Sequence, residues 1–573
     1  MKSEHLSQDK NVIDRVLLLS FILLILVFST FKIFQDDDIF WHLATGKYIV
    51  ENKSIPSSEV FSYTESDVKW IPFEWGWDLV TYSIYNLGGF VALSLFRTLL
   101  ITATFGFLLM AMKKLKVSTG LIYFSLLLVA IALLPRMSIR PHLFSYLGYA
   151  YLIYIFTIVR IEENKFWLLY SIPFVFLLWA NIHMSVMLSF VVFILFVIFF
   201  FRKEKSNRTP NQKNIRKIFI ILIATTVAMI INPHHINTYI YAYEHSSMDM
   251  LQNINEWRSP FASDRGIYNI IYFLFLALSL YALYNLWKKK DYFSSLVIIL
   301  TAVNSFRAVR FTAEFLILSV VFIVVAYDYL YRKAFTEKIH RIINGTITIL
   351  IILLLYFSYT NVFYSKVIKS NYRETGFGIN ERFFPVKMFD FIRRVGVEQI
   401  GSKPFNSLNI GGYFVWNFPD RKNFIDSRNV SEKRYDLYKE INATRVGFDT
   451  KLKQLGIDYV LYSVPTMILN ASILEKTIIS YLSTNSDWKL IYWDDISFLF
   501  VKNEMKFANL IEQYEYKYLN PYKFIFQTKE FLDTYQKDKN RFMQEVIRKQ
   551  NEDPESKILK DIVKKLNIEV KIN

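Results

Sequence analysis

The hydrophobic positions of this chain neither alternate nor keep to one face; they come in solid blocks. Before residue 361 the blocks fall at roughly 15–34, 90–112, 118–135, 143–159, 166–181, 185–201, 217–232, 267–287, 292–306, 311–331 and 342–361. About 20 apolar residues in a helix cross the roughly 30 Å of hydrocarbon in a bilayer. The pattern therefore predicts a polytopic α-helical membrane protein with about eleven transmembrane helices. The block at 16–34 is too long for the core of a cleaved signal, and no small-residue cleavage site follows it, so it reads as a retained span. Residues 74–89 read instead as a helix lying along the membrane surface and ended by glycine.

Past residue 364 the blocks stop. Short helical stretches mix with β-rich runs, Tyr459-Val460-Leu461-Tyr462 and Ser497-Phe498-Leu499-Phe500-Val501, as in a small α/β domain. From about residue 504 the chain is charged, with apolar residues at helical spacing. The predicted division is a membrane domain at 1–364, an α/β domain at 365–503 and a charged helical tail at 504–573.

Composition agrees: 53% of the 573 residues are hydrophobic and 20% charged, more apolar than soluble domains. The net charge of +17 would suit nucleic acid, but its placement argues otherwise. Lys113, Lys114 and Lys116, then Arg160 and Lys165, then the run from Arg202 through Arg208 to Lys217 all lie in short alternate loops. So do Lys288 to Lys290 and Arg332, Lys333, Lys338 and Arg341. Positive charge in alternate loops marks the cytoplasmic side. The N-terminus is thereby assigned to the cytoplasm and the C-terminal domain to the outside. With no cysteine, disulfides, thiolate chemistry and cysteine metal sites are excluded.

Candidate chemistry gathers at the outer face. The first outer loop opens Gln35-Asp36-Asp37-Asp38-Ile39-Phe40-Trp41-His42. Adjacent carboxylates at a membrane exit are costly unless they meet water or a cation. They predict a helix start, Asp being a favoured N-cap, with Asp38 and His42 on one face. A solvated cap and a carboxylate held as general base both fit this pattern. Cations also collect at outer ends of spans: Arg136, Arg140 and His142; His183; His234 and His235; Arg307 and Arg310. Such a ring suits an anionic lipid headgroup, notably phosphate or pyrophosphate. Snorkelling and local pairing, such as Arg310 with Glu314 four residues on, are the alternatives. Asn255-Glu256-Trp257 adds another acid. The histidine spacings match no standard zinc pattern, so no metal site is assigned; a divalent cation is compatible with the acids but not indicated by them.

These residues resemble the GT-C superfamily of integral membrane glycosyltransferases, and within or near it a broad bacterial family. The matching pattern is Asp36, Asp38, Phe40, Trp41, His42 and Leu43, then Gly46, Ile55-Pro56, Phe61-Ser62 and Glu74-Trp75. Arg140-Pro141-His142, Trp179-Ala180-Asn181 with His183, Asn232-Pro233 and Glu256-Trp257 continue it. Beyond the membrane, Phe405-Asn406-Ser407, Gly411-Gly412-Tyr413, Trp416 and Phe424-Ile425-Asp426-Ser427-Arg428 fit, as do Gly456 to Leu461 and the stretch 488–501. The resemblance covers about residues 10–503. Phe73 stands where relatives often carry histidine, and Met184 and Ser185 where they often carry glycine; these changes bear on the substrate and, less, on catalysis.

The resemblance implies a transferase moving a sugar from a polyprenyl-phosphate donor to an acceptor outside the bacterial inner membrane. An acid of the first outer loop, Asp38 or Asp36, would be the base, and the outer-face cations would hold the departing phosphate. It also leaves 405–428 as either a cavity wall or strands and turns with a surface ion pair. Two other functions fit the same cations. One is a transporter or flippase of a lipid-linked or anionic substrate, which should show inverted repeats and midplane charges. The other is a non-catalytic subunit of a surface-glycan assembly complex.

Overall fold

The structure, a computed structural model, describes residues 2–64, 66, 68–206, 212–467 and 470–568. Arg208 of the cationic loop and residues 569–573 of the tail lie outside the described residues. Two compact units emerge. The first holds residues 1–33, 49–55 and 71–378; the second holds 34–48, 56–70 and 379–573.

The first unit is all helical. Each of the blocks marked above falls on a helix. Among the described residues, seven helices are long and apolar enough to cross a membrane. Three shorter apolar helices, Asn164–Ala180, Val186–Arg202 and Tyr292–Ser305, accompany them, as does Gln212–Ile230. The chain is a multi-pass membrane protein. Helix Trp75–Lys114 packs along His142–Ile161, and Lys2–Ser29 along Glu337–Tyr359. Val309–Ala334 runs through the middle, with 78% of its apolar window buried, against 22% for Glu337–Tyr359. The first is packed on all sides, whereas the second offers its apolar surface outward, as a lipid-facing helix does.

The span expected after 74–89 is joined to that segment, with a kink at Gly88 and Gly89 between them. Gly89 has φ 60 and ψ −147, a region open to glycine alone. The helix ends carrying Lys114, Arg160 and Arg332 are stitched by acids: Lys114 to Glu162, Arg160 to Asp291 at 2.7 Å and Arg332 to Asp328 at 2.7 Å.

The second unit is built on a four-stranded sheet, order β1-β2-β4-β3. Strand β1 (Pro404–Asn406) runs parallel to β2 (Tyr459–Ser463). β4 (Ser497–Lys502) is antiparallel to both β2 and β3 (Trp488–Trp493). The two runs read as strands are β2 and β4; β1 is too short to show a pattern. The helices after residue 504 are not a separate appendage. Phe531, Phe542, Val546, Leu559 and Ile562 share one hydrophobic core with Phe405, Val460, Phe498 and Phe500.

Residues 34–48 and 56–70, from the stretch between the first two spans, are also part of this unit. Ser62 bridges to Asn423 in parallel fashion, and Asn423 donates its N–H to the Phe61 carbonyl at 2.8 Å. Beneath that join lies a buried charge network. Arg428 binds Glu59 at 2.9 Å and Asp426 at 2.6 Å, and Arg434 binds Glu59 at 3.2 Å. All four side chains are at most 2% exposed. The ion pair read as a surface feature is therefore internal, with Arg428 stacked on Phe61 and Trp70. Burial raises the Asp426 carboxyl, but Arg428 outweighs it and holds the group at about 2.

Candidate functional site

Two groups of residues carry the candidate chemistry, one in each unit. In the second unit the three adjacent acids have different surroundings. A helix starts at Asp38 and runs to Asn52, as the capping pattern predicts. Asp37, the residue passed over in the Asp-x-Asp reading, is buried, and both of its oxygens are used. They accept the N–H groups of Gly412 (3.2 Å) and Tyr413 (3.1 Å), at the start of helix Gly411–Asn417. Gly412 allows that approach, since a Cβ there would lie 2.8 Å from the Asp37 carbonyl oxygen. Burial, then the charges of Asp38 and Asp426, push the Asp37 carboxyl well above the usual range. Asp36 is buried, at 1% exposure. Asp38 alone of the three is half-exposed. Its Oδ1 accepts the Ser427 hydroxyl at 2.6 Å and the Trp41 indole N–H at 3.3 Å. His42 is buried, its ring 3.7 Å from that of Trp41. Ser427 was legible only as part of a motif; that its hydroxyl meets Asp38, 389 residues earlier, had no sequence signal.

In the first unit the arginines meet at the ends of helices. Thr119–Leu133 ends in the turn Leu134–Arg136, His142 opens the next helix, and Arg310 lies in the turn before Thr312–Ala334. Three guanidiniums surround one carboxylate. Arg136 clasps Glu256 Oε2; Arg140 and Arg310 stand 4.0 and 3.9 Å from Oε1. Burial raises Glu256, but Arg136, Arg310 and Arg140 outweigh it and keep it far below the usual carboxylate range. Arg310 lies over the Trp257 ring, 4.4 Å from its centre. Arg310 thus pairs with Glu256 and not with Glu314; that acid accepts from Tyr149 and Asn304, both at 3.2 Å.

The two histidines beside the cluster are fixed by their partners. His142 Nε2 donates to the Arg136 carbonyl at 2.8 Å, which turns Nδ1 toward Arg136 Nη2 at 3.4 Å. His183 Nδ1 lies 2.8 Å from Ser145 Oγ and 2.7 Å from Ser185 Oγ, and its Nε2 is 3.8 Å from Glu74 Oε1. Burial, then Arg310 and Arg136, lower His183 to about 3, so this imidazole is neutral. Ser185 stands where relatives often have glycine, and its hydroxyl is in use. Glu74 and Ser145 were not among the predicted site residues; Glu74 stood in a matching motif, but Ser145 is one of many serines in apolar helices.

Not every predicted cation joins the cluster. Arg307 is exposed, and no carboxylate among the described residues pairs with it. His234 and His235 form the turn after Gln212–Ile230, where the His234 N–H is held by Asn232 at 3.0 Å. His235 lines a groove of about 580 Å³ with Trp75, Leu177, Asn181, Ile230 and Pro233. Among the described residues no three His, Asp or Glu side chains come together as metal ligands.

With this geometry in hand, comparison with solved structures is informative. The chain superposes on the archaeal oligosaccharyltransferase AglB from Archaeoglobus fulgidus, in complex with an inhibitory peptide and a dolichol-phosphate. The TM-score is 0.55 at 10% identity, over 80% of this chain and 70% of that one. The same organism's oligosaccharyltransferase in its apo form gives 0.56 at 10% identity, over 79% and 69%. With a tethered acceptor peptide it gives 0.53 at 11%, over 86% and 74%. The fold is GT-C. No protein-family model and no curated protein matches the sequence. At such identity it is the GT-C fold that is shared, and the chemistry has to come from the residues. The arginine cluster is a set of donors suited to oxyanions, and Asp38 is the least buried of the three adjacent acids.

Proposed function

We propose that this protein is a membrane glycosyltransferase that takes a sugar from a polyprenyl-phosphate carrier. The acceptor, a glycolipid, polysaccharide or protein, is met on the outer side of the bacterial inner membrane, with the N-terminus in the cytoplasm. The observation that carries this reading is the convergence of Arg136, Arg140 and Arg310 on a single carboxylate. Guanidinium groups in that number suit an oxyanion such as a phosphate. The archaeal oligosaccharyltransferase of the same fold is known in complex with a dolichol-phosphate, which is the same class of lipid. The cluster sits at helix ends, not at mid-helix, which favours chemistry at the membrane face over transport through it.

In the reaction, Asp38 accepts the proton of an acceptor hydroxyl as its oxygen attacks the anomeric carbon. The bond from that carbon to the phosphate oxygen breaks, and the anomeric centre inverts. The phosphate keeps the electron pair, and the arginines stabilise its charge. Neutral His183 is a hydrogen-bond donor or acceptor here, not a charge.

The test is mass spectrometry of surface glycolipids and glycoproteins from a strain lacking the protein. The strain is complemented with wild type, Asp38→Asn, Asp36→Asn or Arg310→Gln, at matched membrane levels. One sugar should vanish in the deletion, return with wild type, and stay absent with Asp38→Asn and Arg310→Gln. Full restoration by both of those variants would end the transferase reading.

A further inference from the structure

Glu256 has a role that phosphate binding by the arginines does not explain. Among the described residues it is the acid in contact with all three, and like Arg136 and Arg310 it stands in a short turn. The arginines stand at the ends of helices. Glu256 stands in a run of short turns, Asp249–Asn253, Asn255–Trp257 and Pro260–Ala262. That segment is tied to its neighbours by bonds such as Val309 N–H to the Arg258 carbonyl at 2.9 Å and Ser259 Oγ to the Phe306 carbonyl at 3.0 Å.

The grip of Glu256 is uneven. Only Arg136 is within hydrogen-bond range; Arg140 and Arg310 are at 4.0 and 3.9 Å. Among the described residues Arg310 makes no hydrogen bond. A carboxylate offers the three guanidiniums two oxygens and one charge. A phosphate has more oxygens and more charge and fits the set better. About a quarter of the Glu256 side chain is exposed, as are those of Arg140 and Arg310, so an anion can reach them.

We propose that Glu256 is a built-in stand-in for phosphate: it holds the three arginines together in the empty protein and yields them to the phosphate of the incoming lipid. This rests on the function proposed above. A resident competitor lowers apparent affinity by the fraction of time the arginines are taken. Taking away its charge should therefore tighten phosphate binding. If Glu256 instead merely orients the arginines, removing its charge should weaken binding.

The full-length protein in lipid nanodiscs is titrated at neutral pH with farnesyl phosphate, farnesol and inorganic phosphate, following thermal shift and thermophoresis. Glu256→Gln should bind farnesyl phosphate about tenfold tighter than wild type, equivalent to about 1.4 kcal/mol. Its empty form should melt lower and recover on adding farnesyl phosphate, and farnesol should do neither. Equal tightening toward inorganic phosphate would support the same displacement, with the phosphate group as the whole ligand. Unchanged or weaker binding by Glu256→Gln, alongside weakened binding by Arg310→Gln, would overturn the stand-in while leaving the phosphate site intact. Binding untouched by Arg310→Gln in either background would remove the phosphate site itself. Should Glu256→Gln fail to assemble, Glu256→Asp, one carbon shorter, is the substitute: it should tighten binding by less, and weaker binding would again overturn the inference.

Discussion

Asp36, Asp37 and Asp38 are one residue type in one run, and their surroundings set them apart. Asp37 is spent on the start of helix Gly411–Asn417; Asp38 is less buried and accepts from Ser427 and Trp41. The two should therefore fail differently. Asp37→Ala should cost about 1–2 kcal/mol of stability, the range for losing an N-terminal cap, seen as a lower melting temperature in the membrane extract. Asp38→Asn should melt like wild type and lose transfer by about a hundredfold or more, the usual worth of a general base, seen in a radiolabelled-sugar transfer assay. Equal melting losses in both variants would mean that Asp38 too is structural. Nothing in the local sequence separates these acids, because the partners that separate them, Gly412, Tyr413 and Ser427, lie some 370 to 390 positions away. The cations were more legible: charges at the outer ends of spans share a depth, and depth alone brings Arg136, Arg140 and Arg310 near one another. Depth does not say which of them turn inward, and Arg307, which stays exposed, shows the difference.

For single elements, legibility follows length. A membrane span announces itself because nearly every residue along it must be apolar, and the helix-sized blocks were read, with glycine expected to end the segment 74–89 and not to kink it into the next span. Gly89 is the sharpest case. Its φ of 60 and ψ of −147 exclude any side chain without strain of about 1–3 kcal/mol. Gly89→Ala should lower the melting temperature of the whole membrane unit, whereas Gly106→Ala, in an open position of the same helix, should leave it unchanged or raise it slightly. Differential scanning fluorimetry of the two variants side by side decides this. A drop for both would mean that helix–helix packing, not backbone strain, is the cause. Strands carry far less signal. β2 and β4 stood out through runs of β-branched and aromatic residues, but β1 has three residues, and its pairing with β2 joins positions more than 50 apart.

For the molecule as a whole, the least legible feature is that residues 34–48 and 56–70 belong to the same unit as the C-terminal sheet. Ser62 bonds the Phe424 carbonyl from 362 residues away, and no periodicity spans such a gap. What joins them is charge. Glu59 and Asp426 face Arg428 and Arg434 with water excluded, and a buried pair broken on one side typically costs about 3–5 kcal/mol. Arg428→Met should therefore open both segments together. Hydrogen exchange of the full-length protein should then speed up in peptides from 56–70 and from 423–434 alike, with the Thr312–Ala334 helix unaffected. The same network sets an acid limit. The folded state holds Asp426 ionised down to about pH 2, while an unfolded aspartate takes its proton near pH 3.9. Between those values the unfolded chain binds more protons, so stability rises with pH across the window and is lost as pH falls through it, by about 2–3 kcal/mol. Exchange in 56–70 and 423–434 should accelerate together as pH is lowered from about 4 toward 2, after correction for the intrinsic rate. Asp426→Asn should start from a lower stability and lose that dependence. Acceleration of 56–70 alone would mean that the loop opens independently and that the charges only decorate the join.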